Sequence, residues 1–152
     1  MRRKDREITD TAEMAAILDL APVCHLGLSD GNEPYVVPLC FGRDGSAIYI
    51  HSAPEGKKIE ILRHNPRCCI EADSTMGPIP GKNPCSWEMQ YQSVICTGTA
   101  SFVTEHGEKR RGLNCILKHY GGEEYGFSEK ELDRVCVIRI DITGMTGKKH
   151  GC

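Results

Sequence analysis

The residues best placed to do chemistry are in Ile48-Tyr49-Ile50-His51-Ser52-Ala53-Pro54-Glu55-Gly56-Lys57-Lys58, where an apolar run stops at a histidine, passes through small residues and meets two lysines. This reads as a strand, a loop and a helix start. A helix start presents unpaired backbone N–H groups and a partial positive charge, so an anion placed there is favoured twice. Ser52 adds a hydroxyl, Gly56 lets backbone come close, and Lys57 and Lys58 add full charges, which together describe a phosphate cradle. The spacing is not the G-x-x-x-x-G-K-[ST] of a nucleoside-triphosphate loop. Taken alone, the same residues also describe an ordinary surface loop with two solvated lysines, and Glu55 opposes a phosphate unless it points away.

His51 is the titratable group most worth weighing. In strand register it shares a face with Ala47 and Tyr49, opposite Ile48 and Ile50, so it is expected to look away from the core toward whatever fills the adjoining groove. An imidazole there can donate a hydrogen bond or a proton to a substrate oxygen, although a strand-end histidine is also a common surface residue. The other histidines have plainer explanations. His64, His106 and His119 fall at expected helix ends, His25 lies in a strand, and His150 belongs to a tail expected to lack structure. The nine cysteines are odd in number and scattered, with no C-x-x-C pair, so no metal site is expected and they read as small hydrophobes of a reducing compartment.

The elements that must position these groups are short. Asp10, three residues before Glu13, starts a helix carrying Met14, Ile17 and Leu18 and ending before Pro22. Strands follow at 23–29, 34–42 and 47–52, separated by Asp30-Gly31-Asn32 and Asp44-Gly45, the hairpin signals of an antiparallel meander. A helix over 56–64 stops at Asn65-Pro66, a strand covers 67–73, and the glycines and prolines of 74–84 predict a loop. Period-two alternation over 93–104 places Val94, Cys96, Gly98, Ala100 and Phe102 inward. Helices over 108–120 and 128–133 precede a last strand, 135–142, with Cys136, Ile138, Ile140 and Ile142 inward. Trp87 and Met89 read as either core or pocket wall. Six or so antiparallel strands with peripheral helices, and no sustained βαβ alternation, predict a mainly β fold with a small barrel.

Composition narrows the function classes. The 152 residues suit one domain, 1–152, and a formal charge of −2 gives no footprint for nucleic acid or an anionic membrane. The basic opening Arg2-Arg3-Lys4 runs into polar sequence rather than an apolar signal, and no apolar run is long enough to span a bilayer, so a cytoplasmic protein with a small-molecule partner is expected.

Several segments in order resemble the nitroimidazole-resistance branch of the pyridoxamine 5′-phosphate oxidase-like flavoproteins. They are Met1 to Ile8, Pro34-Tyr35-Val36-Val37-Pro38-Leu39-Cys40-Phe41-Gly42, Ile48 to Ala53 with Gly56-Lys57-Lys58, Tyr91 to Gly98, and Ile142-Thr143-Gly144-Met145-Thr146-Gly147-Lys148-Lys149. The resemblance implies an FMN-binding split β-barrel of Greek-key-like antiparallel strands, a homodimer with two FMN molecules in grooves between the subunits. It implies that Val37, Pro38, Leu39 and Cys40 contact the flavin ring edge through backbone. His51, Ser52, Ala53, Gly56, Lys57 and Lys58 would take the ribityl chain and phosphate, with His51 also the catalytic candidate. Trp87, Tyr91 and Ser93 would come from the partner subunit, and Lys148 with Lys149 would add charge near the phosphate.

The function so implied is an FMN-dependent oxidoreductase acting on nitro-aromatic, 5-nitroimidazole-type compounds. The alternatives are a non-catalytic flavin- or haem-binding storage module and, from the cysteine count alone, a thiol redox sensor. Two departures qualify the resemblance. The ending Lys148-Lys149-His150-Gly151-Cys152 replaces the arginine-rich ending of true pyridoxamine phosphate oxidases, which counts against vitamin B6 oxidation. Cys40 puts a thiol where related chains often carry another small or polar residue.

Overall fold

A computed structural model describes residues 3–152; Met1 and Arg2, with which the basic opening begins, lie outside them. Strand β1 (Glu7–Ile8) leads into helix α1 (Thr11–Leu20), which starts where the Asp10 carboxylate accepts the Ala12 N–H at 2.8 Å. Glu13 does not return to close that cap. Its carboxylate instead accepts from Lys149 Nζ at 2.6 Å, tying α1 to the far end of the chain.

Two hairpins follow, β2 (Cys24–Asp30) with β3 (Glu33–Leu39), and β4 (Phe41–Asp44) with β5 (Ala47–Ser52). The single strand expected over 34–42 is therefore two strands broken at Cys40. Helix α2 (Lys57–His64) precedes β6 (Arg67–Ile79) and β7 (Glu88–Val103). Helices α3 (His106–His119) and α4 (Glu129–Asp133) precede β8 (Cys136–His150).

Two further expectations are corrected. Residues 74–79 are strand rather than loop, because a bulge between Thr75 and Gly77 absorbs Met76, with Gly77 at φ 131°, and pairing with β7 resumes beyond it. Pro78 is tolerated there because the β2 pairing of β6 ends at Glu71, leaving that side of the strand free. The final strand runs on past Ile142, and His150 is no loose tail but pairs with Tyr91.

All pairings are antiparallel, in the order β3-β2-β6-β7-β8-β5-β4 with β1 added to β8. The skipped pairings β2 to β6 and β5 to β8 are Greek-key-like. The strands at the two ends of this path, β3 and β4, are joined through Cys40 alone, so Leu39 and Phe41 lie within about 7 Å of each other. The sheet must therefore curl until its two edges meet at one corner and part elsewhere, a split barrel.

Its interior holds Leu26, Phe41, Ile48, Ile50, Ile70, Val94, Ile138 and Ile140, capped by Leu18 of α1 and Ile59 of α2. A second cluster, Ala47, Tyr49, Val103, Leu113, Ile116, Leu132 and Val137, lies beneath α3 and α4. Strand β5 is thus covered on both faces, which accounts for its unbroken apolar run Ala47–Ile50. Helix α3 comes this close because Gly42 has no side chain; a Cβ there would meet the Cys115 backbone at 2.5 Å.

Gly42→Ala is expected to lower stability in a urea melt by about 1–3 kcal/mol, the range for overpacking. The buried thiols give a pH test. Burial pushes Cys24 up to about 12, and Cys68 and Cys96 up to about 11, from an ordinary 9.0. The unfolded chain releases these protons first as pH rises, so their contribution is intact below pH 9 and is lost progressively between 9 and 12. Unfolding midpoints should fall over that window, and thiol titration of the folded protein at pH 8 should find exposed Cys40, Cys85 and Cys152 fast and these three slow.

Candidate ligand-binding site

At the end of β5 the alternation of the strand sends Ser52 and His51 to opposite faces. Ser52 follows Ile48 and Ile50 inward, is 9% exposed, and its Oγ has no hydrogen-bond partner. His51 follows Tyr49 and is exposed, as its register implied. The two side chains therefore address different sides of the strand, Ser52 inward and His51 outward.

The helix start expected after the Gly56 position is present. Gly56 is the residue before α2, with φ 116° and no side-chain cap, and the first helical bonds run from Ile59 and Glu60 N–H to the Gly56 carbonyl at 2.9 and 3.1 Å. The N–H groups of Lys57 and Lys58 precede those bonds and belong to the open helix end. Ala53, Gly56 and Lys57 are exposed, while Lys58 lies beside Cys136, the register partner of Ser52. Lys57 Nζ sits 5.2 Å over the ring of Tyr35 in β3, which brings the cradle against the strand expected to hold a flavin edge. An unpaired hydroxyl at the end of β5, followed within a few residues by an uncapped helix start and two lysines, is a donor set that fits a phosphate.

Strand β3 pairs only with β2 and leaves one edge free. Pro34 and Pro38 sit where a missing N–H faces that edge, so Val36 presents an N–H there and the two prolines present carbonyls. Val37 and Leu39 point inward, while Pro38 and Cys40 are exposed. The edge is rich in acceptors.

Tyr91, Ser93 and Lys148 form a second group. Ser93 is the register partner of Lys148, whose Nζ lies 5.6 Å over the Tyr91 ring, and the contact of the phenol with Lys148, aided by Arg6, lowers the tyrosine below its ordinary value. Trp87 is close by in the chain and 54% exposed. Three residues that the sequence did not reveal complete this group: Arg6 donates to Glu88 at 2.6 Å, and His150 Nε2 lies 2.8 Å from the other Glu88 oxygen without hydrogen-bond alignment. Arg6 Nε and His150 Nε2 are buried without hydrogen-bond partners. Nothing in spacing could have found them, since they come from three distant segments. Lys149, expected beside Lys148, is engaged by Glu13 instead.

The two groups stand apart in one chain. Ser52 pairs with Cys136, and Ser93 pairs with Lys148, twelve residues further along β8, or about 40 Å of strand contour. A polar hollow of about 660 Å³ beside α3 lies away from both. Its arginines are already engaged, Arg43 by Asp19, Arg111 by Asp44 and Arg110 by the Phe127 carbonyl. Among the described residues no helix is long and apolar enough to cross a membrane.

A split antiparallel barrel with an uncapped helix start at the β5–α2 junction defines the class. The chain belongs to the pyridoxamine 5′-phosphate oxidase family, whose model matches residues 10–149. It is 34% identical to a candidate 5-nitroimidazole antibiotic resistance protein from Bacteroides thetaiotaomicron, with 93% of this chain and 85% of that one covered and a TM-score of 0.83. An FAD-binding protein from Mesorhizobium loti is 25% identical over 96% of this chain and 98% of its own, with a TM-score of 0.70. A flavocytochrome from Azotobacter vinelandii shares the fold at a TM-score of 0.85, with 21% identity over 100% of this chain and 72% of its own. Among curated proteins none matches the sequence.

Removing the Ser52 hydroxyl separates a structural role from a binding role. Ser52→Ala is expected to leave the melting temperature of the ligand-free protein unchanged or raised, since an unpaired buried hydroxyl is destabilising by about 1–3 kcal/mol. A marked loss of stability in that state would assign the hydroxyl to the fold.

Proposed function

We propose that this chain is a homodimeric FMN protein that reduces nitro-aromatic compounds of the 5-nitroimidazole class. The observation that supports it is the pair of incomplete polar groups, Ser52 with the α2 start and Arg6 with His150 and Lys148, which lie at opposite ends of β8 and become one site only when a second copy supplies the missing half.

In this reading Ser52, the open end of α2 and Lys57 hold the phosphate. One cradle per chain suits a mononucleotide rather than the two phosphates of a dinucleotide. The free edge of β3 from Val36 to Cys40 fixes the ring, with its carbonyls accepting from ring N–H. Trp87, Tyr91, Ser93 and Lys148 of the second copy close the groove. The exposed apolar side chains Val36, Ile95, Met76 and Met89 supply the surface that copies would bury. Bound flavin supplies the electrons, drawn from a reduced nicotinamide nucleotide. Taking a nitro group to nitroso consumes two electrons and two protons and releases water. Exposed His51 holds one of those protons at the nitro oxygen.

The family match supports a flavin protein, and the 34% identical candidate 5-nitroimidazole resistance protein is what suggests the substrate class. Protein purified without added cofactor should be yellow and should elute at twice the chain mass. Lys57→Ala is expected to weaken FMN binding about tenfold, the loss of one charge-assisted hydrogen bond. His51→Ala should keep the flavin spectrum and lose about 10²-fold in nitroimidazole turnover. A colourless monomer that stays colourless with FMN would overturn the proposal, and a Soret band on haem addition without nitro turnover would favour the non-catalytic alternative.

A further inference from the structure

We infer that His25, Glu71 and Asp73 form a binding site for a divalent first-row metal ion with nitrogen and oxygen ligands, on the outer face of the sheet. The strands themselves bring the three together. Strands β2 and β6 pair so that His25 stands opposite Glu71, and the two-residue period of β6 puts Asp73 on the same face one step further. One donor atom from each residue lies within 4.8 Å of the others, and His25 Nδ1 is 3.2 Å from Glu71 Oε2. Metal–ligand bonds of about 2.1 Å place neighbouring ligands about 3.0 Å apart in an octahedron, so one pair already has the spacing and the third needs only a side-chain rotation.

The charges point the same way. Several other carboxylates are paired with a full cation: Asp19 with Arg43, Asp44 with Arg111, Glu108 and Asp141 with Arg139, Glu13 with Lys149, and Glu88 with Arg6. Among the described residues no arginine or lysine pairs with Glu71 or Asp73. Glu71 meets only the His25 imidazole, and Asp73 accepts only the Thr75 hydroxyl at 3.0 Å. Two carboxylates thus stand two residues apart on one face of β6, with an imidazole opposite Glu71 on β2, an arrangement that a dication neutralises.

The donor set selects the metal. One imidazole and two carboxylates without sulfur suit Mn²⁺ or Fe²⁺ better than the thiophilic ions, and three protein ligands leave the remaining positions to water. His25, Glu71 and Asp73 are all half-buried in the single chain. The site shares no residue with the proposed flavin groove but adjoins it, His25 being the register partner of Pro38 and Asp73 that of Ser93.

The experiment is a titration of Mn²⁺ into the chelator-treated full chain, with free Mn²⁺ followed by electron paramagnetic resonance. The expected result is one ion bound per chain. Glu71→Gln and Asp73→Asn should each weaken binding about tenfold or more, as loss of one charged ligand does. Glu124→Gln, an exposed acid elsewhere, should change nothing. In the unmodified protein, pulsed measurements should show coupling of the bound Mn²⁺ to an imidazole nitrogen, a readout independent of how the variants fold. Free Mn²⁺ equal to that in buffer, affinity unchanged in Glu71→Gln, or no nitrogen coupling would each overturn the site.

Discussion

The corner at Cys40 is the constraint on which the rest of this structure depends. Strands at opposite ends of the sheet order are forced together by a one-residue connection, so the sheet cannot lie flat and must enclose its own apolar face. The corner is also clamped from outside. Phe41 N–H donates to the Tyr120 hydroxyl at 3.3 Å, that hydroxyl donates to the Pro22 carbonyl at 2.9 Å, and the His119 ring stacks 4.4 Å from Phe41 while its Nε2 meets the Ala21 carbonyl at 2.8 Å. The end of α3 therefore locks both the corner and the turn that follows α1. Gly42 sits beside this clamp, and its missing side chain lets the helix seat.

From that closure the placement of the candidate groups follows by register. Curling the sheet covers β5 on one face with the barrel interior and on the other with α3 and α4, and at the last two residues of the strand that cover ends. Ser52 and His51 are then the first polar side chains on each side of a strand that is otherwise apolar on both. Their divergence is a consequence of the two-residue period and is not adjustable without shifting every side chain of β5 to the wrong face. A ligand that uses the Ser52 hydroxyl at one end must bend round the strand end to meet His51, or leave His51 to a second molecule in the groove.

Much of this was readable in advance, and what was not has a common cause. The helix start at Gly56, the inward set Val94 to Phe102 and the cap at Ser128 are local signals, and they stand. The break at Cys40 was hidden because the residues on both sides are apolar and extended; only the sheet order tells that they belong to different edges. Residues 74–79 read as a turn because Gly77-Pro78 is a turn signal, yet the partner strand β7 extends far enough to pair with them through the bulge. The polar ending Lys148-Lys149-His150 offers no strand signal at all, and its order comes from pairing with Tyr91 to Ser93. The same holds for sites. The candidate anion cradle is contiguous in sequence and could be proposed from it, whereas Arg6 with Glu88 and His150, or His25 with Glu71 and Asp73, come together only through pairings between distant segments.

The distribution of unsatisfied atoms makes the last step. Folded chains leave few buried polar groups unpaired, because each unpaired one is destabilising by about 1–3 kcal/mol. In this chain the buried side-chain atoms without partners, among the described residues, are Arg6 Nε, Ser52 Oγ and His150 Nε2. Scattered through the molecule they would read as ordinary imperfections of packing. They instead fall in two groups, one at each end of β8, and each group contains residues already singled out as half of an anion or aromatic site. His150 Nε2 still lies 2.8 Å from Glu88 and Arg6 Nε 4.0 Å from Asp5, so the serine hydroxyl is the clearest orphan of the three, and an anionic ligand is what would satisfy it. In the proposed dimer a second copy would bring one group to the other, with an anionic ligand between them to meet both.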